Sequence, residues 1–299
     1  MFRLVSFICM ELSIVSRKAG KKTAGKKRDL KQSGKPGNMS QKNSSGRLGN
    51  MTLEKSSGRP GNAKTAESAG CRKLVIIPAF NEEKGIELAV RGILEHAPDY
   101  DYLVINDCSK DRTLRICLDN GFHVVDLPIN LGIGGAVQTG YRYAYEHGYE
   151  IAVQMDGDAQ HDASYLKAME EKLLSENCDM VIGSRFIEKQ GFQSNGIRRA
   201  GIRWFAGMTR LFFRQRITDS TSGMRMCNRR VMELFVKDYP RDYPEPETVC
   251  RLLRHKMKVE EVPVVMHSRV GGKSSLGSAR SSVYYMFKVT LAILIERLR

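Results

Sequence analysis

Between Cys71 and Ser184 the chain alternates short, wholly apolar runs with longer stretches of helical spacing. Leu74–Pro78, Tyr102–Asp107, His123–Leu127, Ile151–Met155 and Met180–Gly183 read as strands. Glu82–His96, Lys110–Asn120, Gly134–His147 and Ser164–Ser175 repeat apolar residues at intervals of three and four and read as helices. Strands apolar on both faces, alternating with helices, predict an α/β fold with a parallel sheet covered on both sides. In such sheets ligands gather beyond the carboxyl ends of the strands. Further along, Ile197–Arg216 mixes aromatics with six arginines, and Val283–Leu298 is apolar on most faces.

The segment ahead of this pattern differs in texture. Arg17 to Gly70 is rich in Gly, Ser, Lys and Asn and poor in aromatics. It carries a twelve-residue repeat at Ser33–Asn38, Ser45–Asn50 and Ser57–Asn62, and no copy has enough apolar surface to stack on another. Residues 1–70 are therefore expected to be a disordered basic tail. The division expected is 1–70 tail, 71–280 folded α/β domain and 281–299 a C-terminal membrane-surface or packing helix.

Charge changes the picture only through that tail. Of the 48 Lys+Arg and 33 Asp+Glu, 15 and 4 lie in residues 1–70, so most of the formal net charge of +15 belongs there. The rest is nearly balanced, which argues against nucleic acid as the partner of the folded part. A polybasic patch for anionic lipid or nucleic acid is the functional reading of the tail; a dispensable extension is the plainer one. The seven cysteines are scattered, without a C-x-x-C pair, and suit neither a disulfide framework nor a zinc site. No apolar run is long enough to span a bilayer. Residues 1–16 lack the charge order and cleavage site of a secretory signal, so a cytoplasmic location is expected.

Chemistry gathers where three expected strands end. The first runs into Pro78-Ala-Phe-Asn-Glu82-Glu83, the second into Asn106-Asp107-Cys-Ser109-Lys-Asp111, and the fourth into Asp156-Gly-Asp158-Ala-Gln160-His161-Asp162. One acidic cluster is an ordinary helix cap; three at one edge point to a site. Two carboxylates two residues apart, with Gly157 allowing close approach, suit one hard divalent cation that shares its shell with substrate phosphates. The glycines of Asn130-Leu-Gly132-Ile-Gly134-Gly135 do not have dinucleotide-fingerprint spacing. They serve either a phosphate at a helix N-terminus or tight packing of helix on sheet. The loop of a P-loop kinase and the nucleophile elbow of an α/β-hydrolase are both absent from the sequence.

In order along the chain, IPAFNEE, INDCSKDRT, NLGIGGA, MDGDAQHD, GSRF, DSTSGMR and RVGGKSS resemble glycosyltransferase family 2. The likeness is to its polyprenyl-phosphate branch, typified by dolichol-phosphate mannosyltransferase, and it covers Leu74 to Ser275. The resemblance implies a GT-A, Rossmann-like domain using a nucleotide sugar and Mg²⁺ or Mn²⁺, with inversion at the anomeric carbon. It implies that Pro78, Phe80 and Glu82 meet the nucleoside, with Phe80 where tyrosine is frequent, and that Ile105 and Asp107 flank the base. It makes Asp156, Gly157, Asp158 and Gln160 the metal and diphosphate site, and Asp158 catalytic. Arg185 and the stretch from Asp219 to Arg225 would line the sugar and acceptor, with Arg185 and Asp219 catalytic. Arg269, also catalytic, and Ser274 would contact the phosphates; Lys273 precedes the position where that motif usually has its lysine.

The resemblance implies sugar transfer to a polyprenyl phosphate at the cytoplasmic membrane face, for cell-wall or surface glycans. A phosphate acceptor is already ionised, so it needs positioning and charge neutralisation rather than a base; Arg185, Arg198, Arg199 and Arg269 are the candidates. Ile197–Arg216 suits an interfacial amphipathic helix, and a small membrane-spanning partner protein is a further expectation. The alternatives are a saccharide acceptor, or a non-catalytic protein that binds lipid or nucleic acid through the tail.

Overall fold

The computed structural model describes residues 71–188, 196–241, 244–268 and 279–298. The expectation for residues 1–70, and those for Arg269, Lys273 and Ser274, lie outside the described residues. So do the side chains of Arg198 and Arg199.

The elements run β1 (Lys73–Ala79), α1 (Ile86–His96), β2 (Asp101–Asn106), α2 (Thr113–Asp119), β3 (Val124–Asp126), α3 (Gly132–Glu146) and β4 (Ile151–Gln154). A 3₁₀ turn at Ala163–Tyr165 leads into α4 (Leu166–Ser175), β5 (Met180–Ser184), α5 (Gly196–Phe213), β6 (Arg225–Asn228) and α6 (Arg229–Lys237). The described chain ends with α7 (Pro244–Arg254), β7 (Val259–Pro263) and α8 (Ala279–Leu298). The sheet has seven strands in the order β3-β2-β1-β4-β6-β5-β7. β6 runs antiparallel to both its neighbours and the other pairings are parallel.

β1 shows why the apolar runs become central strands. Val75 and Ile77 enter one core cluster with Ile86, Val90 and Ile93 of α1 and Leu166, Met169 and Leu173 of α4. Leu74 and Ile76 enter the other, with Val137 and Tyr141 of α3 and Val231 and Phe235 of α6. Period-two alternation thus feeds both faces from one unbroken run. Each fully buried Val or Ile side chain stabilises the fold by roughly 1.5–3 kcal/mol. Pro78 has no N–H to give and marks where the ladder to β4 stops, after Ile76↔Gln154, although its carbonyl still accepts from Gly157 N–H.

Two features were not expected from apolar periodicity. β6 (RMCN) is too short and polar to signal a strand, and β7 (VEEVP) carries two half-buried glutamates. Both form because neighbours already in place supply their backbone partners. Cys117, Cys178, Cys227 and Cys250 are free and buried, and burial pushes the Cys117 thiol up to about 11.

Three helices, α5, α7 and α8, share an apolar cluster of their own. Phe205 and Met208 of α5, Cys250 of α7, and Tyr285, Val289 and Ile293 of α8 form a third apolar cluster. α8 is also fixed to α7 by a buried ion pair, Arg251 Nη2 to Glu296 Oε1 at 2.9 Å. Arg251 further pairs with Asp238 and Glu247.

Candidate active site

The carboxyl ends of β1, β2 and β4 lie side by side, so the loops that follow them meet. The loops after β1 and β2 are zipped together. Asn81 N–H donates to Ser109 Oγ, Lys110 N–H to Asn81 Oδ1, Glu82 N–H to Thr113 Oγ1 and Glu83 N–H to Asp111 Oδ2. Asn81 sits at φ 58°, a left-handed position that asparagine tolerates. The zipper leaves the Phe80 ring 46% exposed at the edge of the sheet.

Asp107 is buried, and both its oxygens are engaged by the start of α3. Oδ1 accepts from Leu131 N–H at 2.6 Å and Oδ2 from Gly132 N–H at 2.9 Å. A side chain from β2 thus caps a helix some twenty-five residues later and satisfies amides that would otherwise be orphaned. Two glycines of α3 are set by packing. A Cβ on Gly134 would strike the Pro240 and Arg241 carbonyls, and one on Gly140 would strike Ile76. These two glycines serve packing, and the Leu131 and Gly132 amides at the start of α3 are bonded to Asp107. Ile105, expected beside the base, has no exposed surface and belongs to the core under α3.

The turn after β4 is built differently. Its backbone lies against β1 and α1: Gly157 N–H donates to Pro78 O, and a Cβ on Gly85 would come within 2.8 Å of the Asp158 main chain. Asp158 is 1% exposed and accepts from Gln160 N–H through Oδ1 at 3.0 Å. Ala159 takes φ 60° to complete the turn. The Asp156 side chain remains 35% exposed. Its main-chain N–H donates to His161 Nδ1 at 2.9 Å, which places the proton of a neutral imidazole on Nε2, 3.9 Å from Asp156 Oδ2. His161 therefore buttresses the turn. The Asp156 carboxylate rests on Gly223, where a Cβ would lie 2.7 Å from Oδ2. This contact joins MDGDAQHD to DSTSGMR, and no spacing in the sequence announces it.

Gln160 forms a clasp. Its Nε2 donates to His267 O at 3.1 Å, and His267 N–H donates back to Gln160 O at 2.9 Å. The chain segment that leads into RVGGKSS is thus tied to the acidic turn.

Arg185 and Asp219, both expected to act on substrate, are bound to each other. Arg185 Nε and Nη2 donate to the two Asp219 oxygens at 2.7 and 2.8 Å, and Nη2 also reaches Thr221 Oγ1 at 2.9 Å. Burial alone would push the Arg185 pKa down; the Asp219 carboxylate more than reverses this, and Asp156 adds to the upward shift. Glu261 holds the pair from behind, accepting from Thr218 N–H and Asp219 N–H. Burial pushes the Glu261 carboxyl up even though those amides pull it down. Arg225 is likewise buried, bonded to the carbonyls of Ser220 and Ser222 and to Thr248 Oγ1, and does not line a sugar pocket.

Residues 74–235 match the model for glycosyl transferase family 2. The chain belongs to that family. Relatives include an undecaprenyl-phosphate mannosyltransferase of Micrococcus luteus, 28% identical over 69% of this chain and 87% of that protein. Another is a polyprenol monophosphomannose synthase of Mycolicibacterium smegmatis, 28% identical over 73% of this chain and 85% of that protein. Among solved structures, glucosyl-3-phosphoglycerate synthase from Mycobacterium tuberculosis, in complex with Mn²⁺, UDP and phosphoglyceric acid, is similar with a TM-score of 0.59. It is 18% identical, and the match covers 77% of this chain and 79% of that one. The fold is thus GT-A-like, and this family 2 member is a nucleotide-sugar-dependent glycosyltransferase resembling the polyprenyl-phosphate branch.

Among the described residues no group of three or more His, Cys, Asp and Glu is placed to hold a metal ion. The donor set still fits one that is completed by substrate. Two hard carboxylates on a single turn match Mg²⁺ or Mn²⁺, which keep open positions for waters and phosphate oxygens.

Proposed function

We propose that this glycosyltransferase moves a sugar from a nucleoside diphosphate to a polyprenyl phosphate, with Mg²⁺ or Mn²⁺ held at Asp156 and Asp158. The observation that carries the reading is the acidic turn itself, with the Asp156 side chain part-exposed beside the buried Arg185–Asp219 pair. A bound divalent ion would supply charge neutralisation to the departing diphosphate. In the transfer, an acceptor phosphate oxygen bonds to the anomeric carbon as the bond from that carbon to the diphosphate oxygen breaks. No base is needed, because the acceptor is already ionised. Asp158 is held in place by Gln160 N–H and orients the turn, while Phe80 and Glu82 border the nucleoside. Arg269 follows the clasped His267 by two residues and, with Ser274, serves the phosphates. Arg185 and Asp219 act as a positioning pair that stiffens the wall behind the sugar.

The acceptor is met at a membrane surface through α5 and α8. Tyr284, Phe287, Leu291, Ile295 and Leu298 form an exposed stripe on the outer side of α8, opposite the packed Tyr285, Val289 and Ile293. The Trp204 indole N–H donates to Thr290 Oγ1, which brings the exposed tryptophan alongside that stripe. Arg203 and Arg210 of α5, and Arg214 just after it, are exposed. Apolar side chains bordered by arginine suit a surface-lying element, and no described helix is long and apolar enough to cross a membrane.

The test supplies full-length protein with Mg²⁺ or Mn²⁺, a polyprenyl phosphate in detergent, and a panel of radiolabelled nucleotide sugars. Metal-dependent label in the organic phase is expected. Label that stays aqueous while nucleotide is released would replace the lipid with a saccharide acceptor.

A further inference from the structure

Arg225 is 1% exposed and heads the fully buried side chains in size. Burying a guanidinium costs several kcal/mol unless it is well paired, and an apolar residue of similar volume would usually pack there as stably. Among the described residues no carboxylate lies within ion-pair distance of it. Its donors go instead to three neutral acceptors: Nε to Ser222 O at 2.8 Å, Nη2 to Ser220 O at 2.7 Å and Nη1 to Thr248 Oγ1 at 2.7 Å. Two of these are main-chain carbonyls of the turn that runs from Asp219 to Gly223. The third joins that turn to α7. A planar fork with fixed donor directions can hold such a turn in one shape, which a flexible ammonium cannot.

What rests on the turn is the Asp156 carboxylate. A Cβ at Gly223 would stand 2.7 Å from Oδ2 and 3.0 Å from Oδ1, so the carboxylate occupies the space a side chain would take. On its other side, Gln154 faces Arg225 in the β4–β6 register, and its Nε2 points toward Asp156 Oδ1 at 3.5 Å. We infer that Arg225 and Gly223 are positioning residues for Asp156: the guanidinium fixes the Ser220–Gly223 turn, and the turn fixes where the carboxylate points. The inference rests on the donor-site role proposed for Asp156, and two measurements on the full chain separate the two.

In the first, Mn²⁺ binding is followed by loss of the free-ion paramagnetic resonance signal, in the presence of UDP or GDP. Arg225→Lys keeps the charge but loses the fork, and Gly223→Ala adds one methyl under the carboxylate. Each is expected to weaken Mn²⁺ binding about tenfold, the scale of a misplaced outer-shell support, while transfer at saturating metal recovers. Unchanged Mn²⁺ binding in folded Gly223→Ala overturns the inference. In the second, thermal melts compare Gly223→Ala in the wild-type and Asp156→Ala backgrounds. The destabilisation by the methyl is expected to disappear once Asp156 is truncated. Equal loss in both backgrounds overturns the inference even if Gly223→Ala is too unstable to titrate. A wild-type chain that binds no Mn²⁺ would remove the metal assignment of Asp156, while the melts would still report whether Gly223 and Asp156 are coupled.

Discussion

Asp107 and Asp111 follow β2, Asp156 and Asp158 follow β4, and in the sequence the two loops look alike: acidic, small-residue-rich, and leaving a buried strand. In the fold they differ. Asp107 gives both oxygens to the first amides of α3, and Asp111 gives its own to Thr113 and Glu83. After β4, the next helical turn is capped by Asp162, which accepts from Ser164 N–H. Asp156 does not accept from that amide, and its side chain stays 35% exposed. After β2 both carboxylates are thus spent on backbone amides at helix starts, whereas after β4 Asp156 accepts from no helix-start amide among the described residues.

Four measurements would break or sharpen this comparison. The largest effect is expected from Asp158→Asn, which should lower transfer by about 10²–10³-fold while circular dichroism stays native; normal turnover would put the chemistry elsewhere. Next comes the buried pair. Arg185→Ala or Asp219→Ala should each cost about 3–5 kcal/mol in urea unfolding, and the double variant less than their sum, because one substitution strands a buried charge and two do not. Simple additivity would show that the pair is not coupled. Asp107→Ala should cost about 2 kcal/mol by loss of the α3 cap, with a greater effect on stability than on the metal dependence of transfer. The reverse pattern would make Asp107 a ligand-facing residue after all.

The smallest effect concerns pH. Burial works to raise the Asp111 pKa, but hydrogen bonds from Thr113 and Glu83 prevail and lower it. Its stabilisation is therefore complete above the unfolded-state pKa of about 3.9 and is lost as pH falls through the lower folded value. Urea midpoints between about pH 5 and pH 3 should fall less steeply in Asp111→Ala than in the wild type. Identical slopes would mean that the zipped loop does not depend on this carboxylate's charge.

Much of the fold was legible because its signal is local. β1, β2, β4 and β5 lie within a residue of their apolar runs, and α1 to α4 follow their three-and-four spacing. β6 was hidden because four residues starting with arginine carry no period, and its pairing depends on strands more than forty residues away on either side. The site was legible in part. The part-exposed Asp156 and the buried Asp158 follow β4, where the strand-end argument placed them. Ile105 belongs to the core, and Arg185 and Asp219 bind each other. Hydrogen-bond partners thirty-four residues apart cannot be read from either residue's own neighbourhood.

By itself the sequence determined the apolar strands, the helices between them, the gathering of acidic groups at one sheet edge, and the ordered motifs of a family 2 glycosyltransferase. Each follows from short-range periodicity or from residue types at fixed offsets. Only the tertiary structure decided which carboxylates are used up as caps and which remains exposed. It also decided that Gly223 lies under Asp156, and that α8 packs one apolar stripe while exposing the other. Those outcomes depend on acceptors, amides and helix faces brought together from distant parts of the chain, where competition for a partner rather than local pattern sets the result.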